Sequence, residues 1–176
     1  HATVAGIDCH VMRLSFTGEA SFELHHPVAH SVELWQALME AGRDMNITPH
    51  GLQALFALRL EKGHVIVGMD TELDSTPRRL NMDWAVKMDK PDFVGKAALV
   101  AEKAAGSAWR FVSMTLDEPG DADAPFCSSI FDCDGNNIGL ATSGGWSFTL
   151  DKSIALGFVR PQFQTEGAKL QIKIFG

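Results

Sequence analysis

The sequence predicts an α+β protein, and three observations carry that expectation. Residues 3–25 alternate apolar and polar side chains around a Gly-containing turn. Residues 31–62 and 91–105 place apolar side chains at helical spacing between recognisable start and stop signals. Beyond residue 107 the chain breaks into short strand-like runs at close spacing, the texture of a small antiparallel barrel or sandwich. The change falls at Gly106-Ser107, so the expected division is a hairpin-and-helix domain over 1–106 and a β module over 107–176.

Each element has its own justification. Met12, Leu14 and Phe16 lie on one side of a strand over 3–16, with Arg13 and Ser15 on the other; Thr17-Gly18-Glu19 turns it, and residues 21–25 return. The second run places Glu23 opposite Phe22 and Leu24, so its carboxylate leaves the strand on the other face. A helix follows from Ser31 to Gly42, with Val32, Trp35, Leu38 and Met39 as its apolar stripe. A second helix is marked by Thr48 as cap, Pro49 at its first position, Leu52, Leu55 and Phe56 on one stripe, and Gly63 as terminator. Residues 64–68, HVIVG, predict a short β-branched strand, and TELDSTPRRL a polar loop. A third helix is expected over 91–105 despite Gly95, because Phe93, Ala97 and Val100 recur three and four residues apart. Strands are then expected over 109–116, 128–132, 137–142, 146–150, 154–159 and 169–174, with EPGDAD, CDGN and SGG as breaks.

Composition narrows the function. The 176 residues carry 22 acidic against 15 basic side chains, a net charge of −7. No basic face is available for a phosphate backbone, so nucleic acid is not an expected partner. No apolar run approaches the roughly 18 residues that span a bilayer, so no membrane partner is expected and the default address is cytoplasmic. Cys9, Cys127 and Cys133 form no Cys-x-x-Cys pair and are expected as reduced thiols. His25, His26 and His30 invite a metal site, but Pro27 interrupts their spacing and no carboxylate completes a ligand set; no metal is expected. SGG at 143–145 lacks the helix that would follow a phosphate loop and is expected as a tight turn with close backbone approach. Arg78, Arg79 and Lys96 are candidates for an anionic ligand tail. Glu23 is the candidate of a different kind: its carboxylate either meets water, which composition and spacing alone favour, or lines a cleft, where its two parallel acceptors suit a ligand edge with two adjacent N–H donors.

Four ordered segments carry a resemblance: AGIDCHVMRLSFTGEASFEL, GLQALFALRLEKGHVIVGMDTELDSTP, WAVKMDKPDFVGKAAL and GLATSGGWSFTLDKSIALGFV. Together they resemble the folate-binding superfamily of the glycine-cleavage T protein (aminomethyltransferase), and within it the folate-binding part of sarcosine oxidase alpha subunits and dimethylglycine dehydrogenases. The resemblance implies a T-protein-like fold with an incomplete N-terminal half followed by the C-terminal barrel. It also implies one-carbon transfer to tetrahydrofolate. The family pattern Tyr-Thr-Gly-Glu-x-Gly-x-Glu ends in a glutamate that grips the aminopyrimidine edge of the folate. That role falls on Glu23, with Phe16 in the place of the pterin-facing tyrosine and Thr17 and Gly18 in the same motif; Ser21 replaces the family's glycine. Leu55 stands where T proteins commonly carry an arginine, while Arg59 matches the arginine of the Leu-Arg-x-Glu run. His64 occupies the cysteine position of the iron–sulfur-assembly branch, which this chain does not match.

The family's catalytic aspartate would precede His1, so no catalytic residue is assigned within the chain. The chain is expected to be a piece of a longer polypeptide, cut at both ends and inactive alone. Any flavin would sit on another domain or subunit, a flavoprotein partner rather than this chain. The losses at Leu55 and Phe16 motivate a rival expectation, a T-protein-like scaffold module that docks on such a flavoprotein without chemistry of its own.

Overall fold

A computed structural model describes residues 1–117 and 122–174. They fold as two compact units, 1–64 and 65–176. In the first, β1 (Ala2–Val4), β2 (Ile7–Met12) and β3 (Glu23–His25) form an antiparallel sheet in that order. The single strand expected over 3–16 is in fact two strands. Ala5 and Gly6 both take positive φ, 50° and 82°, and so reverse the chain in a two-residue turn. The hairpin of β2 and β3 is correspondingly shorter than expected, with residues 13–22 a loop in place of a tight turn at Thr17-Gly18-Glu19.

Cross-strand register sorts this sheet into two faces. Val4 opposite Ile7, and Val11 opposite Leu24, lie with Cys9 on one face, where they pack with Leu34 of the helix α1 (Ser31–Ala41). Thr3 opposite Asp8, His10 opposite His25, and Met12 opposite Glu23 occupy the other, as the two-residue period of a strand requires. α1 and α2 (Leu52–Lys62) keep nearly the expected spans, but not the expected buried faces. Leu34 is the buried residue of α1, while Val32 and Trp35 are exposed; α2 buries Arg59 and Leu60 and exposes Leu52 and Phe56. α2 is capped by Gly51 rather than Thr48 and begins at Leu52 rather than Pro49, and Gly63 ends it in the left-handed conformation at φ 73°, as a helix terminator does.

The second unit opens with a correction. The β-branched run after Gly63 is no strand; residues 67–70 are a turn, closed by the Asp70 amide on the Ile66 carbonyl at 2.8 Å. The Asp70 side chain takes over the Ile66 amide at 2.8 Å, and this local partner overrides strand propensity. α3 (Lys96–Ala105) begins only after Gly95, whose φ of 91° is incompatible with a helix running through it from Pro91. Then β4 (Arg110–Thr115), β5 (Ser128–Phe131), β6 (Asn137–Ser147), β7 (Lys152–Val159) and β8 (Gln171–Ile172) make a five-stranded antiparallel sheet ordered β4-β7-β6-β5-β8. Ile130, Ile138, Ala141 and Val159 form its core, with Val112, Met114, Phe163, Leu170 and Ile172 packed around them.

SGG is not a turn. The strands expected over 137–142 and 146–150 merge into one eleven-residue strand, β6, with a bulge at Thr142; it ends at Ser147, and residues 148–150 are a turn. The expected close backbone approach is there nonetheless: a Cβ on Gly144 would overlap the Ala124 carbonyl oxygen. The CDGN break is a turn built on Asp132, whose carboxylate accepts from the Asp134 amide at 3.0 Å and from the Asn136 amide at 2.8 Å. Residues 118–121 of the EPGDAD break lie outside the described residues. Among the described residues no helix is long and apolar enough to cross a membrane.

Candidate functional site

The hairpin of the first unit sets the geometry. Glu23 opens β3 opposite Met12 on the sheet face away from Leu34, and its side chain is 51% exposed. His25, two residues on and therefore on the same face, donates from Nε2 to Glu23 Oε2 at 3.0 Å. The carboxylate is thus presented outward on a strand that Leu24 anchors to the core.

Phe16, Thr17 and Gly18 lie in the loop that β2 and β3 enclose, half-buried. The end of α2 holds this loop. His64 donates from Nδ1 to the Phe16 carbonyl at 3.0 Å, across 48 residues of sequence. Arg59, 4% exposed, donates from Nη1 to the His64 carbonyl at 3.1 Å. Gly18 has φ of 85°, and a Cβ there would run into the aliphatic chain of Lys62. Glycine is needed there for its backbone, while the flexible Lys62 chain would have to shift to admit a Cβ. His64 and Lys62 were not singled out from sequence for this role. The only signal they offer is their place just before and just after the helix terminator.

The other candidates fare differently. His26 bonds the Leu24 carbonyl and Ser31 Oγ, and His30 pairs with Glu33, so these two histidines serve the entrance of α1. His25 instead joins His10, their rings 6.4 Å apart, with the His1 ring 4.9 Å beyond. Leu55 is half-buried in α2. Arg78 pairs with Asp83 at 3.3 Å, and Arg79 pairs with Asp74 at 2.6 Å while lying over the Phe158 ring. Lys96 donates to the carbonyls of Lys90 and Pro91. These three cations therefore already have protein partners. An open groove lined by Trp35, Met39, Arg43 and Ile47 shares no residue with the hairpin.

One polar centre in the second unit was missed from sequence. Asp70, 1% exposed, accepts from the Ile66 amide at 2.8 Å, Thr142 Oγ1 at 2.5 Å and Ser143 Oγ at 2.6 Å. Adjacent residues of a regular strand face opposite sides, so the bulge at Thr142 is what lets both hydroxyls reach one carboxylate oxygen. Nothing in the local pattern of GMDTEL or ATSGG announces a contact across 72 residues.

The fold and its sequence have close counterparts. Residues 1–90 match the GCVT N-terminal domain, and residues 110–176 match the glycine cleavage T-protein C-terminal barrel domain. The chain is 37% identical over 172 residues to an aminomethyltransferase of Halothermothrix orenii, covering 98% of this chain and 47% of that protein. It is 36% identical over 174 residues to mitochondrial dimethylglycine dehydrogenase of Homo sapiens, covering 98% of this chain and 20% of that one. The crystal structure of the glycine cleavage system aminomethyltransferase T from Bartonella henselae superposes with a TM-score of 0.82 at 29% identity, over 94% of this chain and 45% of that one. An α+β chain with this hairpin and this terminal antiparallel sheet is of the T-protein class. It belongs to the GCVT (glycine-cleavage T-protein, aminomethyltransferase) family. The chain spans about half the length of the curated aminomethyltransferases it matches.

Proposed function

We propose that this chain is the folate-binding portion of an enzyme that transfers a one-carbon unit, as an aminomethyl or methylene group, to tetrahydrofolate. The observation that carries the proposal is the Glu23 carboxylate, held outward on a core-anchored strand beside a loop pinned by His64. The names of the relatives, aminomethyltransferase and dimethylglycine dehydrogenase, support the reaction class. The residues fit the ligand chemically: an exposed carboxylate offers paired acceptors to an aminopyrimidine edge, and Phe16 offers an aromatic face without a hydroxyl. Thr17 and Gly18 would lie against the ligand through the backbone of the loop. Bound tetrahydrofolate supplies the nitrogen that accepts the one-carbon unit. Glu23 binds and orients, and orientation is itself a large part of such catalysis. No group of this chain is assigned to proton transfer. The division into a folate-binding part over 1–106 and a barrel over 107–176 belongs to the same proposal, and so does a flavoprotein partner, which the dimethylglycine dehydrogenase relatives support.

Isothermal titration of tetrahydrofolate into the full polypeptide tests this. Glu23→Gln keeps the side chain's shape and removes its charge, so affinity is expected to fall at least about tenfold, the scale of a charge-assisted pair. Unchanged affinity would remove Glu23 from the site.

A further inference from the structure

The exposed face of the first sheet carries an arrangement that ligand binding through Glu23 does not by itself require. Register places His10 of β2 directly opposite His25 of β3. Along β3, His25 reaches back to Glu23 at 3.0 Å. Across β2, the His10 ring meets His25 at 64° with 6.4 Å between centroids, and the His1 ring lies 4.9 Å further on. The charged and titratable groups on this face are therefore Glu23 and His25 on β3, His10 and Asp8 on β2, and His1 beside β1, with Asp8 held by Thr3 Oγ1 at 3.3 Å. His26, next in sequence, takes no part, because its ring is turned to Ser31 and the Leu24 carbonyl.

We infer that His25 is a positioning residue for Glu23 and makes folate affinity depend on pH through the imidazole; the inference rests on the role proposed for Glu23. A glutamate side chain loses rotamer freedom when it is fixed, and an N–H donor already on Oε2 removes part of that loss before the ligand arrives. His25 occupies one lone pair of Oε2, which leaves Oε1 and the remaining lone pair of Oε2 for ligand donors. Protonation changes the balance. The neutral ring orients the carboxylate with an ordinary hydrogen bond, whereas the imidazolium forms an ion pair that competes with the ligand's N–H groups for the same charge. Protonation of His10 and His1 adds positive charge to the same face and tightens the hold on Glu23 further. Affinity is thus highest where the histidines are neutral and declines as they become protonated.

The test is a series of tetrahydrofolate titrations on the full polypeptide between pH 5.5 and 8.5, with wild type, His25→Gln, His25→Phe and Glu23→Gln. His25→Gln retains an N–H donor that does not titrate, and His25→Phe keeps a ring without a donor. At pH 8, His25→Phe is expected to weaken binding about three- to tenfold and His25→Gln to restore most of that. The wild-type affinity should fall several-fold from pH 8 to 5.5 relative to His25→Gln; ionisation of the ligand itself is common to both proteins and cancels in the ratio. A pH-independent ratio, or His25→Phe binding as wild type while Glu23→Gln binds weakly, overturns the role of His25 and leaves that of Glu23 standing. Glu23→Gln binding as wild type overturns both. If His25→Phe fails to fold, the ratio of wild type to His25→Gln still decides.

Discussion

At the scale of single residues, Asp70 shows how much of the structure a side chain can hold without any local signature. Its buried carboxylate gathers a backbone amide and two hydroxyls from positions 66, 142 and 143. Hydrogen bonds to a charged group contribute about 1.5–3 kcal/mol each. Asp70→Ala is therefore expected to lower the stability of the full polypeptide by about 3 kcal/mol or more, read as a shift of the urea midpoint at constant slope. Ser143→Ala, which removes one of these donors and leaves the Ile66 amide and the Thr142 hydroxyl on the carboxylate, should lose less, about 1.5 kcal/mol. An Asp70→Ala protein within experimental error of wild type would show that this network does not stabilise the fold. The face of Glu23, by contrast, was legible from strand alternation, opposite Leu24, while its candidacy as a ligand group came from the resemblance of the motif around it. His64 did not, because its partner is a carbonyl 48 residues away.

At the scale of elements, spans were legible where they depend on local chemistry, and buried faces were not. α1 and α2 run almost where their terminators put them, since Gly42 and Gly63 act within a single turn. Which stripe is buried depends on what packs there: Leu34 meets Ile7 and Cys9, while the periodic Val32 and Trp35 stay exposed. β6 shows the same limit from the other side. Two glycines after a serine resemble a turn, but cross-strand pairing runs through them, Gly144 with Ala155 and Gly145 with Ile154. Gly144 is needed because the Ala124 backbone approaches closely, and a Cβ would meet a carbonyl oxygen rather than a flexible side-chain end. Gly144→Ala is expected to destabilise by about 1–3 kcal/mol, the cost of overpacking a site that cannot give way. Gly135→Ala is a useful contrast, since its Cβ would meet nothing and only the φ of 81° opposes it. It should lose about 1–2 kcal/mol, through backbone strain alone. Thermal denaturation of the two variants side by side checks the ranking, and a fully stable Gly144→Ala would mean that the segment from Ala124 moves freely away from β6.

At the scale of the whole molecule, charge decides how stability responds to pH. Two exposed carboxylates of the second unit titrate below their ordinary range: Asp117 because Lys169 donates to it and attracts it, and Asp132 because the Asn136 side chain and amide donate to it. Lys169 is raised in turn by Asp117. A carboxylate whose folded value is depressed stabilises the folded state above its unfolded pKa, near 4, and that contribution disappears as pH falls through the lower, folded value. A raised lysine has the opposite sign, its contribution being complete below about 10.4 and lost as pH rises through its higher, folded value. Between these limits a third effect works in the other direction. The net charge of −7 shrinks as pH falls from 7 toward the isoelectric point near 5.4, so self-repulsion weakens and the folded state gains slightly. The melting temperature should therefore rise gently or stay level from pH 8 to about 5.5, and then drop below about pH 4. Salt separates the causes, since the Asp117–Lys169 pair, 2.7 Å long but open to solvent, is screened while the hydrogen bonds of the Asp132 turn are not. With 1 M salt the acid-side loss should shrink but persist in the wild type, and Asp132→Asn should remove much of what persists. An acid limb that vanishes entirely in salt would assign it to the ion pair alone.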